Sequence, residues 1–294
     1  MKPKLAVFPK CFMDDLCVHR TMTIFQWIEL ASTLGVEGLE FYSGFLDDNE
    51  VFLHRAKREL EKYGFKMPML CCSPDFTQLD PVLLQAEIDR EKRMIELTAF
   101  LGGRFCRVLS GQRRPELSRA AGVSQVVRVI QGLLPFAEKH GVVLTMENHY
   151  KDNYWQHPEF AQKMDVFVEI VDQIASPWFG VNYDPSNCLL AGEDPLVLLE
   201  RIKHRVVSMH ASDRFLKVGT MEDLRREENS VGYANRLAHG VIGKGMNDYD
   251  AIFSTLNSVG FDSWISIEDG MNGMDELRES VRFLKTKIDR HFIN

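Results

Sequence analysis

The residues Gly141-Val-Val-Leu-Thr-Met-Glu-Asn-His-Tyr150 contain the pattern that decides the fold of this chain. Residues 142–146 form an apolar run that is too short for a helix and rich in β-branched side chains. Such a run is typical of a strand that is buried on both faces. Four polar or polar-tipped residues follow at 147–150. The stretch therefore predicts a buried strand with reactive side chains at its carboxyl end.

Strand-like and helix-like segments alternate on both sides of this stretch. Seven further apolar runs are predicted strands, at residues 5–8, 36–42, 65–71, 105–109, 178–184, 206–210 and 264–268. Segments with apolar residues at helical spacing are predicted helices, at residues 23–34, 51–63, 80–101, 124–140, 158–174, 194–204, 249–259 and 274–290. Pro68 lies inside the third predicted strand, where it removes a donor from the hydrogen-bond ladder.

This alternation predicts the architecture. Strands that alternate with helices of this size form right-handed βαβ units and a parallel sheet. Eight such units in 294 residues fit a closed (β/α)₈ barrel, a TIM barrel, better than an open sheet. No Gly-x-Gly-x-x-Gly motif follows the first strand, which disfavours a dinucleotide-binding fold. With no linker or charge block in sight, we predict one α/β domain over residues 1–294.

The composition disfavours several classes of protein. The formal net charge of −7 and the isoelectric point near 5.8 argue against a nucleic-acid or anionic-membrane surface. The first ten residues lack the apolar core of a signal peptide, and no apolar stretch reads as long enough to span a bilayer. The six cysteines follow no CxxC pattern, which is typical of reduced thiols. We expect a cytoplasmic protein without a nucleic-acid or membrane partner.

Four consecutive predicted strands end in residues that could bind a metal. Glu147, Asp184, His210 and Glu268 end strands five to eight, and the carboxyl ends of barrel strands meet at one rim. Three carboxylates this close repel one another and raise each other's pKa unless a cation is present. Three carboxylates and one imidazole suit Mn²⁺, Mg²⁺, Co²⁺ or Zn²⁺. Each residue alone has a structural interpretation, as a loop anchor, a turn or a core histidine, but four on consecutive strands favour a site.

In these motifs the chain resembles the metal-dependent sugar (phosphate) isomerase/epimerase superfamily, which has a xylose-isomerase-like barrel. The resemblance covers essentially the full length, and it lies in the order and strand placement of motifs that are individually unspecific. The motifs are Leu-Thr-Met-Glu147-Asn, Asn-Tyr-Asp184-Pro-Ser-Asn, Ser-Met-His210-Ala-Ser-Asp, Ile-Ser-Ile-Glu268-Asp, and Gly243-Lys-Gly245 with His239 just before it.

The resemblance implies a sugar isomerase or epimerase with one divalent ion, Mn²⁺ being the expected metal. In such enzymes the ion chelates adjacent carbonyl and hydroxyl oxygens of a small carbohydrate and stabilises an enediolate. It implies that Glu147 and Glu268 are metal ligands that also act as the acid and base. Asp184 and His210 would then be mainly structural ligands. A homodimer or homotetramer is common among such barrels.

Some positions depart from the family pattern. Ser212 stands where many relatives have lysine, Asn187 where ketose epimerases often have histidine, and Lys244 where the turn is usually acidic. These departures disfavour epimerisation of a simple free ketose. The Arg- and Glu-rich segment 213–245 is expected to form a lid or subunit contact. The substrate-binding candidates are Tyr42, His149, Trp155, Asn187, Asp213, Arg214 and His239. Arginines 107, 113, 114 and 214 could bind a phosphate or carboxylate, although loop arginines usually face solvent.

Three other functions stay open from the sequence. A lyase with the same metal site would use the enediolate to expel water from an inosose or an aglycone from a 3-keto-glycoside. An endonuclease-IV-like repair enzyme would need extra histidine ligands near positions where this chain has Cys71, Arg107 and Asn187. A non-catalytic sugar-binding barrel would be indicated by the loss of a metal ligand, and all four ligands are present.

Overall fold

Nine parallel strands form a nearly closed barrel, with helices around it, in a computed structural model that describes residues 2–152, 155–227, 235–268 and 271–292. The barrel strands are β1 (Lys4–Val7), β2 (Gly38–Leu39), β3 (Phe41–Tyr42), β4 (Met69–Cys71), β5 (Phe105–Val108), β6 (Val143–Glu147), β7 (Phe179–Tyr183), β8 (Val206–Ala211) and β11 (Trp264–Ile267). Two more strands, β9 (Arg214–Leu216) and β10 (Leu237–His239), pair outside the barrel.

Helices connect successive strands. They are α1 (Ile24–Ala31), α2 (Glu50–Lys62), α3 (Pro81–Phe100), α4 (Arg119–His140), α5 (Met164–Asp172), α6 (Pro185–Leu190), α7 (Pro195–Ile202), α8 (Met221–Glu227), α9 (Tyr249–Ser258) and α10 (Met274–His291). The sheet order β2-β1-β11-β8-β7-β6-β5-β4-β3 is that of a (β/α)₈ barrel, so the predicted fold class is confirmed.

The second predicted strand, residues 36–42, closes the ring in two pieces. Its first piece, β2, pairs with β1, and its second piece, β3, pairs with β4. The interruption lies at Glu40, which is 1% exposed. The carboxylate at the break of this strand is therefore buried among the strand ends.

Most predicted boundaries agree with the structure to within a few residues, and three differences have physical causes. The third predicted strand, residues 65–71, corresponds to β4 and begins only at Met69, after Pro68, which cannot donate to the ladder. The helix predicted over 158–174 begins only at Met164, because Phe160 N–H and Ala161 N–H instead bond to the loop at residues 110–111. Helix α6 is absent from the sequence prediction, and it begins at Pro185 directly after its capping residue Asp184.

The inward-facing side chains change in character along the strands. Near the amino ends Met69, Phe105 and Val143 form an apolar cluster inside the barrel. Successive residues of a strand alternate between its two faces. Arg107 follows Phe105 by two residues in β5, and Glu147 follows Val143 by four residues in β6, so both side chains also point into the barrel. The apolar layer closes the floor, so the polar groups above it meet in a buried pocket at the carboxyl ends.

Helix α4 corrects one expectation from the sequence. By length and composition alone this helix is apolar enough to cross a membrane, whereas the sequence pattern predicts no such segment. In the structure 44% of the most apolar 18-residue stretch of α4 is buried. Its side chains Val126, Ile130 and Leu133 belong to the main core, and the helix contacts α3, α5 and β6. Its position is that of a barrel helix.

Segment 213–245 packs against the barrel, and the structure describes it except for residues 228–234. It contains the antiparallel ribbon β9–β10 and helix α8. Leu216 and Leu237 of the ribbon join Leu224 of α8 in a small apolar cluster with Leu189 and Leu190 of α6. The ribbon is thereby fixed beside the carboxyl end of β7, which α6 directly follows.

Candidate metal centre

The four predicted metal ligands come together at the carboxyl ends of four neighbouring strands. One ligand atom from each of Glu147, Asp184, His210 and Glu268 lies within 4.8 Å of the other three. His210 Nδ1 is 2.8 Å from Glu268 Oε2 and 3.3 Å from Glu147 Oε1. All four side chains are buried, Glu268 being the most exposed at 9%. The residues therefore form one compact cluster, as expected from the sequence.

Asp184 is oriented by the start of α6. Its Oδ1 accepts hydrogen bonds from Ser186 N–H at 2.7 Å and from the Ser212 hydroxyl at 2.7 Å. Asn148 binds the Asp184 backbone on both sides, accepting from its N–H at 2.9 Å and donating to its carbonyl at 2.6 Å. Among the described residues none donates to Oδ2. The cap therefore fixes one carboxylate oxygen and leaves the other available to bind a metal ion.

His210 is oriented by a carboxylate that the sequence pattern does not identify. Its Nε2 lies 2.7 Å from Glu40 Oε1, and the Cys71 thiol donates to the same oxygen at 2.9 Å. With the proton of a neutral imidazole on Nε2, this contact turns Nδ1 towards the other carboxylates. A carboxylate behind a histidine is the usual arrangement for a metal-binding imidazole, because it fixes the tautomer and ring orientation.

Each of the two glutamates divides its oxygens between the cluster and a cation. Glu147 Oε1 accepts from Asn187 Nδ2 at 3.1 Å and faces His210, while Oε2 accepts from Arg107 Nη1 at 2.7 Å. Glu268 Oε2 faces His210, while Oε1 accepts from Lys10 Nζ at 3.0 Å. One oxygen of each glutamate is thus held in place and the other is directed at the centre.

The charges around the cluster match a divalent cation. Four buried carboxylates, from Glu40, Glu147, Asp184 and Glu268, meet only two permanent cations among the described residues that contact them, Arg107 and Lys10. When His210 is neutral, this leaves two negative charges without compensation in a buried pocket, which is strongly unfavourable. Three carboxylate oxygens and one imidazole nitrogen are also suitable ligands for Mn²⁺, Mg²⁺ or Zn²⁺. Both the charge and the donor set therefore fit a divalent ion.

Without a metal ion, bound protons compensate part of the negative charge of the cluster. Burial and the charges of Glu268 and Glu147 raise the pKa of Asp184 to about 7. Burial alone would lower the pKa of His210, but Glu40, Glu268 and Glu147 raise it well above its ordinary value. Burial would likewise raise the pKa of Glu147, yet Arg107 and His210 lower it to about 2. A metal ion must therefore displace protons from Asp184 and His210.

We expect the metal affinity to rise with pH. Below about pH 7 the Asp184 carboxyl is protonated and competes with the ion, whereas above this pH it is ionised. The apparent affinity for Mn²⁺ or Zn²⁺ should weaken about tenfold per pH unit below pH 7 for each proton displaced. Calorimetric titrations at pH 6, 7 and 8, each in two buffers of different ionisation enthalpy, measure both quantities. An affinity that is constant over this range, without proton release, would contradict the assignment.

A cavity of about 230 Å³ opens directly above Glu268. Its wall includes Phe8, Tyr42 and His149. Three cationic residues (Lys10, Arg107 and Lys151) and three acidic residues (Asp14, Asp152 and Glu268) also line it. It is smaller than the roughly 300–1,000 Å³ of pockets for drug-sized ligands. The predicted residues Tyr42 and His149 therefore line a space for a small polar molecule, whereas Trp155 lines a neighbouring cavity that also contacts Tyr42.

Asp213, another predicted substrate contact, has a different environment. Its Oδ2 accepts from Gly243 N–H at 2.9 Å and from Gly245 N–H at 3.0 Å, and its Oδ1 accepts from Asn247 N–H at 3.1 Å. A Cβ atom on Gly245 would lie 2.2 Å from Asp213 Oδ1, so only glycine fits there. The Gly243-Lys244-Gly245 turn is thus wrapped around a buried carboxylate and positions the loop that follows the ribbon.

A second cluster of buried ligand-type side chains lies between α3 and the barrel. Glu91 Oε2 is 3.0 Å from Cys72 Sγ, and Glu91 Oε1 is 3.3 Å from Cys106 Sγ. All three residues are buried, and burial raises the pKa of Glu91 to about 7 although the two thiols oppose this. No positively charged side chain in the described part of the chain forms an ion pair with Glu91. Its ionised form is therefore destabilised by the fold.

We expect Glu91→Gln to stabilise the folded protein more at pH 8 than at pH 5. The unfolded chain ionises Glu91 near its ordinary pKa of 4.5, whereas the folded chain holds the proton up to about pH 7. The wild type therefore loses stability as pH rises between these values, and the glutamine variant does not. The difference in free energy gain between the two pH values should be about 2 kcal/mol. Urea unfolding with the exposed Glu61→Gln as control measures it, and equal gains at both pH values would refute the explanation.

Comparisons with known proteins identify proteins similar to this chain. A family model described as xylose isomerase-like TIM barrel matches residues 28–287. The 3-oxo-isoapionate decarboxylase of Pectobacterium atrosepticum is 28% identical over 170 residues, which cover 57% of this chain and 52% of that protein. The match thus spans about half the length of this curated relative.

Solved structures share the fold. A D-tagatose 3-epimerase-like protein superposes with a TM-score of 0.76 at 16% identity, covering 98% of each chain. The IOLI protein with a bound zinc atom superposes with a TM-score of 0.75 at 17% identity, covering 99% of this chain and 100% of that chain. At such low sequence identity, these superpositions show a shared fold, the barrel with its surrounding helices.

Proposed function

Because the chain belongs to the xylose isomerase-like TIM barrel family, we propose that it is a divalent-metal-dependent isomerase or epimerase. Its substrate would be a ketose, a keto-sugar or a sugar phosphate, and its reaction would pass through an enediolate. The observation that carries the proposal is the buried cluster of Glu147, Asp184, His210 and Glu268, whose charge and donor atoms fit one divalent ion. Mn²⁺ is the proposed metal.

The chain's own residues supply the proton transfers in this proposal. When bound, a divalent ion would polarise the substrate carbonyl and favour the negative charge that develops on its oxygen. In this proposal one of Glu147 and Glu268 removes the carbon-bound proton, and the other returns a proton to the opposite face or to the neighbouring carbon. The contacts with Arg107 and Lys10 keep both carboxylates ionised and fixed in direction. Since β7 and β8 separate their strands, the two glutamates approach the substrate from different positions on the rim.

The surroundings of the cluster argue against the endonuclease-like alternative. That function would need further metal ligands at Asn187, Cys71 and Arg107. Here Asn187 donates to Glu147, Cys71 donates to Glu40, and Arg107 forms an ion pair with Glu147. A cation in direct contact with the cluster takes the space and charge of a second metal ion. The net charge of −7 likewise disfavours a DNA surface.

A lyase is the second candidate function, and one comparison favours it. The relative at 28% identity is a 3-oxo-isoapionate decarboxylase. Loss of CO₂ from a 3-oxo acid leaves an enolate, which the same metal site would stabilise, so the two functions differ only in the bond that breaks. Elimination of water from an inosose, or of an aglycone from a 3-keto-glycoside, would start from an enediolate, as the proposed isomerisation does.

One experiment separates these reactions. The Mn²⁺-loaded protein is incubated in D₂O with ketoses, ketose phosphates, 3-keto-glycosides, an inosose and a 3-oxo sugar acid, and products are followed by NMR. Isomerisation or epimerisation places deuterium on the carbon beside the carbonyl. Decarboxylation releases CO₂, and elimination gives an unsaturated ketone. The Asp184→Asn variant serves as the control, and no turnover of any of these substrates by either protein would contradict the proposed function.

A further inference from the structure

A further cavity, at the β9–β10 ribbon, has an unusual lining. Its volume is about 190 Å³, and it is formed by Tyr150, Leu190, Arg214, Lys217, Asn235, Leu237 and His239. None of these described lining residues is acidic, while two carry a positive charge and a third is a histidine. The cavity above Glu268, in contrast, is lined by equal numbers of lysine or arginine and acidic side chains. The cavity at the ribbon is therefore more electropositive than the cavity above Glu268.

The ribbon builds this cavity with a defined geometry. His239 of β10 is the direct cross-strand partner of Arg214 of β9, so both side chains lie on the same face of the ribbon. Backbone contacts fix the same region, since Arg214 N–H donates to Asp213 Oδ1 at 3.0 Å and its carbonyl accepts from Met246 N–H at 2.9 Å. The ribbon also packs against the rest of the fold, because Leu237 of β10 and Leu190 of α6 belong to one apolar cluster.

Arg214 is the residue that indicates a ligand. Only 6% of it is exposed, and its Nε is buried without a hydrogen-bond partner. Its guanidinium forms no ion pair with any residue in the described ranges. A buried cation left unpaired costs several kcal/mol, so such groups normally have an anionic partner. The guanidinium presents donors in the fork geometry that carboxylate and phosphate oxygens match.

The cavity at the ribbon is adjacent to the cavity above Glu268. Tyr150 lines both of them, and it follows the metal-ligand strand β6 at the rim. Arg214 comes four residues after His210 in the chain, at the start of the ribbon that leaves β8. The positive charge of Arg214 acts to lower the pKa of Lys10, which contacts Glu268, so the two cations are within electrostatic reach of each other. A molecule whose carbonyl end lies at the metal centre can therefore extend past Tyr150 to Arg214.

We propose that the cavity formed by Arg214, Lys217 and His239 binds an oxyanion, a phosphate or a carboxylate, at the distal end of the substrate. This inference rests on the proposed function for the other end of that substrate. It makes the substrate class a phosphorylated keto-sugar or a keto-sugar acid rather than a neutral ketose. Arg214 and His239 are then substrate-binding residues that determine specificity and take no part in the proton transfers.

The test measures anion binding to the metal-free protein, so that it does not depend on turnover. Inorganic phosphate and acetate are titrated separately into chelator-treated wild type, Arg214→Met, Lys217→Met and Arg58→Met, by calorimetry or by chemical-shift changes. Arg58 is an exposed arginine of α2 and controls for the loss of one positive charge. Metal stoichiometry is measured on the same four proteins.

We expect one anion to bind the wild type and to bind Arg214→Met at least about tenfold more weakly, with a smaller loss in Lys217→Met and none in Arg58→Met. Preference for phosphate indicates a phosphorylated sugar, and preference for acetate indicates a sugar acid. Equal binding by wild type and both cavity variants, or no binding of either anion, would overturn the inference. Should Arg214→Met fail to fold, the exposed Lys217 still decides the outcome. Normal metal binding alongside absent anion binding rejects this inference while leaving the proposed function in place.

Discussion

Replacement of Glu147 by glutamine should slow exchange of the substrate's carbon-bound proton by about 10²–10⁴-fold. The amide keeps nearly the same size and one oxygen near the cluster, but it cannot accept the proton. Glu147 Oε1 is the oxygen that faces His210, while Oε2 is engaged by Arg107. The loss should therefore appear in kcat, with the barrel still folded. Exchange in D₂O at saturating Mn²⁺ measures it once a substrate is identified.

Two further variants make this prediction specific. Glu268→Gln should show a loss of similar size, because the reaction needs one glutamate to remove the proton and the other to return it. Glu138→Gln, an exposed glutamate near the end of α4, should exchange at the wild-type rate. If Glu147→Gln retained wild-type exchange with its metal bound, the acid/base role assigned to Glu147 would be rejected.

Replacement of Arg107 by methionine should destabilise the metal-free protein by about 3–5 kcal/mol. The arginine is 5% exposed and contacts three groups: Glu147 Oε2 at 2.7 Å, the Cys72 carbonyl at 3.2 Å and the Ser73 hydroxyl at 3.3 Å. Methionine fills a similar volume but leaves the buried Glu147 carboxylate without its cation. Added Mn²⁺ should recover part of the loss, because the ion supplies positive charge to the same carboxylate.

A double-mutant cycle separates charge from packing. If the uncompensated carboxylate causes the loss, Arg107→Met combined with Glu147→Gln should cost clearly less than the sum of the two single variants. Arg104→Met, at the exposed position just before the same strand, should cost less than about 1 kcal/mol. Urea unfolding of the metal-free proteins measures all four. Additive losses would show that the ion pair contributes nothing beyond packing.

The barrel and the four-residue cluster could be predicted because both depend on short-range patterns. Alternating apolar runs and amphipathic segments determine the parallel barrel, and the barrel brings strand ends that are distant in sequence to one rim. Glu147, Asp184, His210 and Glu268 each end a predicted strand, so their convergence followed from the fold. Their mutual distances, within 4.8 Å, agree with that expectation.

The residues that complete the centre could not be found in the same way. Lys10 and Glu40 act through contacts with strands far from them in sequence, with Glu268 and His210 respectively. Arg107 had a signal, since it lies inside an apolar strand and not in a loop, but its inward direction depends on strand parity. Sequence patterns therefore predict the four residues of the cluster without the groups that orient and neutralise them.

The ribbon shows a different limit. Segment 213–245 has few apolar residues in regular spacing, so its pattern predicts neither β9 nor β10. Their pairing follows from the small apolar cluster with Leu216 and Leu237, which forms only when α6 and α8 are in place. The positions of Arg214 and His239 opposite each other are a consequence of that tertiary packing.

Metal content of the purified protein tests the central claim most directly. Wild type and His210→Ala are supplemented with Mn²⁺, desalted and analysed side by side by elemental analysis. We expect about one divalent ion per chain in wild type and a loss of it in the variant, because Nδ1 of His210 is the single nitrogen donor in the cluster. No bound ion in wild type, about three zinc ions, or full retention of the ion by His210→Ala would contradict this metal centre.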